Sequence, residues 1–236
     1  MENGSYTTLT RQSGLMREMQ SVANNIANAS TTGFRREGIV FSEHVTNLGD
    51  VPSLSMAQAG GHHIDTRQGG FEKTGGPLDL AIEGDGYFMI ETPDGERLTR
   101  AGHFMSNGEG DLVTPEGFRV LDAGGAPVFI PPSAASISIA ADGTMSADGA
   151  PISQLGLFTA DPNGLQRVGS TMFEATTGVE PLIGGTVLQG FLEGSNVDPV
   201  TEIARMIEVQ RSYELGQKFL EKEDERLRSV QKLVGR

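Results

Sequence analysis

The sequence predicts an α+β protein, mainly β, in which a central antiparallel β domain lies between N- and C-terminal helices that form a coiled-coil layer. Three observations predict this fold. Apolar residues recur at helical spacing near both ends of the 236-residue chain. Short β-rich runs separated by Asp-Gly and Gly-Gly pairs fill the middle. The middle also carries the whole excess of a formal net charge of −13.

The composition limits the class of protein. With 37% hydrophobic residues, 32 Gly and 11 Pro, the chain can bury a core. No run approaches the roughly 18 apolar residues of a membrane span, and the first residues lack the basic and apolar regions of a signal peptide. We therefore expect neither membrane insertion nor a cleaved signal. An acidic chain repels phosphate, which disfavours a nucleic-acid partner. The absence of Cys excludes disulfides and thiolate chemistry.

An apolar stripe at spacings of three and four predicts the N-terminal helix. The stripe comprises Leu9, Met16, Met19, Ala23 and Ile26, with Gln12 in the same row. The helix is expected to end at a group of asparagines, namely Asn24, Asn25 and Asn28. We expect these amides to hydrogen-bond the last helical carbonyls or the backbone of a neighbouring chain. Gly33 is expected to adopt a positive φ and Phe34 to anchor the exit.

The middle of the chain has the pattern of a β domain. Residues 76–190 contain β-rich runs about ten residues apart, such as LDLAI at 78–82 and YFMIET at 87–92. This spacing is typical of a sandwich or a rolled antiparallel sheet. The preceding residues, 35–75, contain GDVPS, QAGGHH and RQGG, and they predict an irregular connector.

The C-terminal part, 191–236, predicts a long helix. Asp198 can cap its start and Pro199 suits its first turn. Apolar residues then recur every seven positions, and Val209 and Val230 provide intermediate positions. This row consists of Met206, Tyr213, Leu220, Leu227 and Val234.

The two helical stripes need cover from water. They can pair with each other or with copies in neighbouring molecules, and either arrangement gives a coiled coil. A two-helix hairpin still exposes apolar surface on its flanks, which favours wider association. The alternative, in which both helices pack on the β domain as ordinary core helices, stays open at this stage.

Three blocks of this sequence resemble the flagellar basal-body rod and hook protein family. The first is NNIAN at 24–28 followed by TTGFR at 31–35. The second is PLDLAIEGDGYF at 77–88, running on to LTRAG at 98–102. The third is EGSNVDPV at 193–200, which leads into MIEVQRSYE at 206–214. Together these blocks span nearly the whole chain.

The resemblance implies a structural subunit and not an enzyme. Within the family, the chain is more similar to proximal-rod proteins than to distal-rod or hook proteins, which are the alternative. It implies a place in the rod that crosses the periplasm and transmits torque from motor to hook. The implied partners are other rod proteins and copies of itself, and the implied export route is the flagellar type III apparatus.

The resemblance also implies an assembly interface. Residues 1–34 would pair with 198–236, and Asn196 and Val197 would join the helical stripes in this interface.

Candidate chemical sites are weak. His62, His63 and Asp65 offer metal-ligand types, but adjacent histidines in a strand point in opposite directions. Residues 107–111 alternate polar side chains with Gly, as in a calcium loop, but Phe118 stands where an EF-hand needs Glu. We expect no catalytic residue, no cofactor, no metal and no small-molecule substrate.

A protein of another class is the remaining alternative: a secreted β-domain enzyme or a carbohydrate-binding module anchored by the helices. Such a protein would need a concave pocket with converging carboxylates or aromatic rings.

Overall fold

The computed structural model describes residues 2–46 and 54–234, and the side chains of 8–40, 61–226, 228–230 and 232. The helices are α1 (Glu2–Ala27) and α2 (Pro199–Val234), and a short 3-10 helix spans Pro162–Gly164. The strands are β1 (Glu37–Thr46), β2 (Leu54–Ile64), β3 (Phe71–Lys73), β4 (Leu80–Glu83), β5 (Tyr87–Thr92), β6 (Gly95–Thr99), β7 (Met105–Ser106), β8 (Leu112–Val113), β9 (Arg119–Val120), β10 (Ile137–Ile139), β11 (Thr144–Ala147), β12 (Ala150–Gln154), β13 (Leu157–Thr159), β14 (Leu165–Val168), β15 (Met172–Ala175), β16 (Glu180–Pro181), β17 (Thr186–Gln189) and β18 (Phe191–Glu193).

The chain divides into two compact units. The helical unit contains α1, β1, nearly all of β2, and α2. The β unit contains residues 28–36 and 64–197. The fold is therefore α+β and mostly β, as the sequence predicts.

Strands occupy much of the stretch for which the sequence predicts an irregular connector. β1 and β2 pair with each other, and β3 pairs with β18. The sequence of β1, EGIVFSEHVT, contains β-branched and aromatic residues that favour strands. The prediction gave more weight to the Gly pairs and to the segment GDVPS at 49–53, which lies outside the described residues.

The β unit is built around β5. Its main sheet has the order β14-β15-β6-β5-β9-β8-β7, and β13 pairs with both β5 and β16. Alternate residues of β5 enter different core clusters, because successive side chains in a strand point to opposite faces. Phe88 and Ile90 pack with Leu80, whereas Tyr87 and Met89 pack in the cluster of Phe173. Both faces of β5 are thus buried.

The predicted Asp-Gly turns join neighbouring strands. Asp94-Gly95 connects β5 to β6, and Asp148-Gly149 connects β11 to β12. Asp148 and Gly149 both have positive φ, 50° and 83°, as a type I′ turn requires. The Asp148 carboxylate accepts hydrogen bonds from the backbone N–H groups of Ala135 and Ser136 at 3.0 and 2.9 Å. These bonds hold the pKa of Asp148 below its ordinary value.

The predicted cap of α2 is confirmed. Asp198 Oδ1 accepts from the Val200 N–H at 3.0 Å, and Asp198 Oδ2 accepts from the Thr201 hydroxyl at 2.9 Å. Pro199 is the first helical residue, where its missing N–H costs nothing. At 1.5 Å per residue, the helix is about 54 Å long.

The cap of α2 is expected to weaken in acid. Hydrogen bonds from the Thr201 side chain and from the Val200 and Thr201 backbone lower the pKa of Asp198 from its ordinary value of 3.8. Because the folded pKa is the lower one, the stabilisation is complete above the unfolded pKa and is lost as the pH falls through the folded pKa. We expect the urea midpoint of the full chain to exceed that of Asp198→Asn by a constant amount above about pH 5, and the difference to decrease as the pH falls through the folded pKa of Asp198. A difference that does not vary with pH would contradict this account.

Candidate assembly surface

In the helical unit, α1 and α2 run antiparallel and are joined by polar contacts along their length. Gln12 Nε2 donates to the Tyr213 carbonyl oxygen at 2.9 Å. One turn or two further along α1, Glu18 Oε1 accepts from Arg205 Nε at 2.7 Å. Near the end of α1, Asn25 Nδ2 donates to Glu202 Oε2 at 3.1 Å.

The buried row of α1 is not the predicted one. The buried residues of α1 are a mixture of apolar and hydrogen-bonding side chains, including Gln12, Leu15, Glu18, Ser21, Val22 and Asn25. Leu15 and Val22 are seven residues apart and supply the apolar part of this row. Apolar periodicity favours the other stripe of α1, because polar residues such as Gln12 and Glu18 are usually exposed to solvent.

The predicted stripe of α1 largely faces solvent. Leu9 is 53% exposed, Met16 is 42% exposed, and Ala23 is also exposed. Met19 and Ile26 are half-buried. We call Leu9, Met16 and Ala23 the outer seam; they lie seven residues apart, so that they follow one side of the helix.

α2 has a covered side and an exposed apolar side. In the predicted heptad row, Met206, Tyr213 and Leu220 are half-buried and the intermediate Val209 is buried. The side chains of Leu227 and Val234 lie outside the described residues. A second set of large apolar side chains on α2 is exposed, namely Val200, Ile203, Ile207, Leu215, Phe219 and Val230. Val230 was predicted as an intermediate position of the row, and the other members of this set escape prediction because their spacing is less regular than the heptad row.

Asn25 bonds a neighbouring strand and not the last carbonyls of its helix. Its Oδ1 accepts from the Glu37 N–H at 2.9 Å, and its Nδ2 donates to the Glu37 carbonyl at 2.8 Å. Ser21 Oγ donates to the same carbonyl at 2.9 Å. The buried Asn25 amide therefore joins the end of α1 to the start of β1 within one chain. Asn24 is half-buried, and Asn28 Oδ1 accepts from the Thr31 hydroxyl at 3.1 Å.

In the β unit, a buried carboxylate connects the three sequence blocks that resemble the rod and hook family. Glu193 Oε1 lies 2.6 Å from Arg35 Nη1, and Glu193 Oε2 lies 3.3 Å from Arg100 Nε. All three side chains are buried. Glu193 Oε1 also accepts from the Gly69 N–H at 2.8 Å. Burial lowers the pKa of Arg100, and the charge of Glu193 opposes that shift.

The turn that precedes Arg35 requires glycine. Gly33 has a φ of +70°, as predicted, and its N–H donates to the Glu193 carbonyl at 2.7 Å. A Cβ at this position would lie 2.3 Å from the Ala101 nitrogen. Phe34 is fully buried, and the Arg167 guanidinium lies 4.4 Å above its ring centre. Phe34 therefore anchors the segment, in agreement with the sequence analysis.

Asn196 and Val197, predicted as interface residues, have intramolecular contacts. Asn196 Oδ1 accepts from the Arg36 N–H at 2.6 Å. Asn196 Nδ2 donates to the carbonyls of Asp65 and Arg67 at 2.9 and 2.8 Å. Val197 is buried. Asn196 thus holds its own segment to the backbone at Arg36 and to the backbone at Asp65 and Arg67.

The side chains considered as metal ligands make contacts with other groups of the same chain. His62 Nδ1 lies 2.5 Å from Glu37 Oε1, and Asp65 is paired with Arg67, which lowers the Asp65 pKa. Asn107 Oδ1 accepts from the N–H groups of Glu109 and Asp111, so this segment is a turn closed by its own side chain. Among the described residues, no group of three or more His, Asp and Glu side chains has a metal-binding arrangement.

The β unit contains a cavity of about 620 Å³. The described residues that line it include one carboxylate, Glu116, and one imidazole, His103, and they include no Phe or Tyr. A glycoside hydrolase needs two facing carboxylates, and sugar binding commonly uses aromatic rings. The cavity therefore lacks the features that would favour the enzyme or carbohydrate-binding alternative.

Within the described ranges, neither helix is apolar enough over a sufficient length to cross a membrane.

Three family descriptions match successive parts of the chain. "Flagella basal body rod protein" matches residues 6–35, which cover most of α1 and its exit. "Flagellar hook protein FlgE/F/G D1 domain" matches residues 81–147 of the β unit. "Flagellar basal body rod FlgEFG protein C-terminal" matches residues 188–233.

Individual relatives align over almost the whole chain. Flagellar basal-body rod protein FlgF of Mesorhizobium japonicum is 38% identical over 218 residues, which cover 91% of this chain and 90% of that protein. FlgF of Caulobacter vibrioides is 37% identical over 243 residues, which cover 100% and 99%. Flagellar basal-body rod protein FlgG of Bacillus subtilis is 35% identical over 257 residues, which cover 95% and 96%.

Removal of the buried charge on Glu193 is expected to destabilise the β unit strongly. Glu193→Gln keeps the size of the side chain but leaves Arg35 and Arg100 without an anion. We expect the free energy of unfolding to fall by about 3–5 kcal/mol in urea denaturation of the full chain, followed by circular dichroism. The matched control is Glu91→Gln, because Glu91 pairs with Arg119 at 2.7 Å with both side chains about half exposed. The control should change stability by less than about 1 kcal/mol. Equal losses in the two variants would contradict a structural role for the buried cluster.

Proposed function

Because this chain belongs to the family of flagellar basal-body rod proteins, we propose that it serves as a structural subunit of the proximal rod and transmits torque between motor and hook. The observation that carries this function is the near-complete alignment with relatives named FlgF. The family consists of structural proteins and not of enzymes.

The helical unit is the proposed assembly domain. Its outer seam and the exposed apolar side chains of α2 together leave both helices with apolar surface in water. Such a surface is unfavourable for a monomer and is typical of an interface that another subunit covers. Helices of several subunits would then form the coiled-coil layer that the sequence analysis predicts. Close packing of these helices would give the rod the stiffness that torque transmission needs.

The partners and the route to the rod follow from the same membership. The chain assembles with other rod components, and copies of itself are the proposed further partners. Export through the flagellar type III apparatus would deliver it to the part of the rod that crosses the periplasm. The acidic β unit would keep the exported chain soluble.

A distal-rod function is the second candidate, because FlgG of Bacillus subtilis aligns over 95% of this chain. Deletion of the gene separates the two functions. Electron microscopy of basal bodies from the deletion strain should show a rod that stops in its proximal part. A rod that stops only at its distal part would favour the second candidate, and a complete rod would contradict both.

The outer seam provides a direct test of assembly. Met16→Glu places a charge on an exposed side chain, so the unfolding free energy of the purified monomer should change by less than about 0.5 kcal/mol. In the rod, the same charge would be buried without a partner, and we expect loss of swimming and of complete rods. The control is Ile183→Glu, since Ile183 is a fully exposed apolar residue of the β unit. Swimming by the Met16→Glu strain at the wild-type rate would contradict the assembly role of the seam.

A further inference from the structure

A groove between α1 and α2 has the form of a binding site for a third helix. Thr8, Arg11, Gln12 and Leu15 line it from α1, and Ser212, Leu215, Gly216 and Phe219 line it from α2. Each helix contributes residues at positions i, i+3, i+4 and i+7, which lie on one face of a helix, and an amphipathic helix can lay its apolar face into a groove between two such faces. The groove has a volume of about 370 Å³. Its α2 side is largely uncovered, since Leu215 is 67% exposed and Phe219 is 46% exposed.

Gln12 gives this groove a buried polar position. The side chain is only 8% exposed, and its Nε2 donates to the Tyr213 carbonyl. Its Oε1 is buried and meets no hydrogen-bond donor among the described residues. Gly216 lies directly opposite, because a Cβ there would be 2.2 Å from Gln12 Nε2. A buried acceptor without a donor is unfavourable, so a ligand that donates to Oε1 gains affinity over an entirely apolar one.

The chain carries a complementary surface on another side of α1. The outer seam presents Leu9, Met16 and Ala23 as exposed apolar side chains in a row. Ser13 and Gln20 are also exposed and lie within about 40° of that row, at 100° per residue. Both carry a side-chain donor that can reach an acceptor such as Gln12 Oε1.

We infer that the groove of one copy receives the outer seam of a second copy, with Ser13 or Gln20 of that copy donating to Gln12 Oε1. The inference rests on the proposed function, and it adds the partner surface and the register. Because groove and seam are different surfaces, the contact is head-to-tail, and its repetition gives a closed ring or an open helical array. A buried acceptor is satisfied only where a donor lies opposite it, so Gln12 restricts the axial position of the second copy to the two registers that place Ser13 or Gln20 there.

The absence of Cys from the chain allows a clean crosslinking test. Met16→Cys and Leu215→Cys are co-expressed on separately tagged full-length chains in a strain that lacks the native gene. After mild oxidation, isolated basal bodies are analysed for a disulfide-linked dimer that carries both tags. The control pairs Met16→Cys with Gln217→Cys, because residue 217 is exposed but lies about 200° around the helix from residue 215. We expect about tenfold more mixed dimer with Leu215→Cys than with Gln217→Cys.

A third variant tests the polar position. Gln12→Met removes the acceptor and keeps the length of the side chain, and we expect it to lower the yield of the Met16–Leu215 mixed dimer by about tenfold. An unchanged yield would overturn the role of Gln12 in the register. If the cysteine strains do not swim, the same mixed dimer is measured with purified full-length chains at high concentration, and its absence there overturns the inference.

Other outcomes separate the inference from the proposed function. Equal yields with Leu215→Cys and Gln217→Cys in swimming cells overturn the groove contact but leave the rod function intact. A crosslink from Met16→Cys to a different rod protein, in place of the mixed dimer, overturns the second copy as occupant. A complete rod in the deletion strain contradicts the proposed function whatever the crosslinks show.

Discussion

The buried Glu193 carboxylate between Arg35 and Arg100 is the constraint on which the β unit depends. A charge that leaves water is tolerated only where opposite charges and hydrogen bonds surround it. Arg35 comes from the exit of α1, Arg100 follows β6, and Glu193 ends β18, so three distant parts of the chain must be in place together. The carboxylate keeps its compensating charges only while both guanidinium groups stay beside it. Gly33 enforces the same arrangement sterically, since its backbone touches the residues next to Arg100.

Local signals in the sequence were sufficient for much of this fold. The Asp198 cap, the Asp-Gly turns and the positive φ of Gly33 each depend on a few adjacent residues, and each is found where predicted. The functions of Asn25, Glu193 and Asn196 could not be derived in this way. Their partners lie up to 177 residues away, and no spacing pattern shows which distant backbone group an amide or a carboxylate will meet. The prediction of an irregular connector for 35–75 was wrong, because the turn-forming residues of this stretch were given more weight than the strand propensity of β1.

The helical unit buries a row of α1 that is rich in hydrogen-bonding groups and leaves a more apolar row in water. This is the reverse of the usual amphipathic arrangement, in which the apolar stripe faces the core. The reversal makes sense if two kinds of contact have different requirements. Contacts within the subunit are fixed by directional bonds such as Glu18 to Arg205. Contacts between subunits can then use the non-directional hydrophobic effect, which needs only area and shape.

Asn25 has a mechanical consequence. Its side chain bonds both backbone groups of Glu37, so residues 28–36 leave the helical unit and return to it at a single point. A pulling force on residues 28–36 therefore acts on the last turn of α1 and on the first residue of β1 at the same time. The helix cannot be peeled open from its C-terminal end until this clasp is broken, and Ser21 reinforces the clasp from the preceding turn. Because Asn25 bonds both the donor and the acceptor of the same residue, the joint resists displacement of β1 in either direction along the helix.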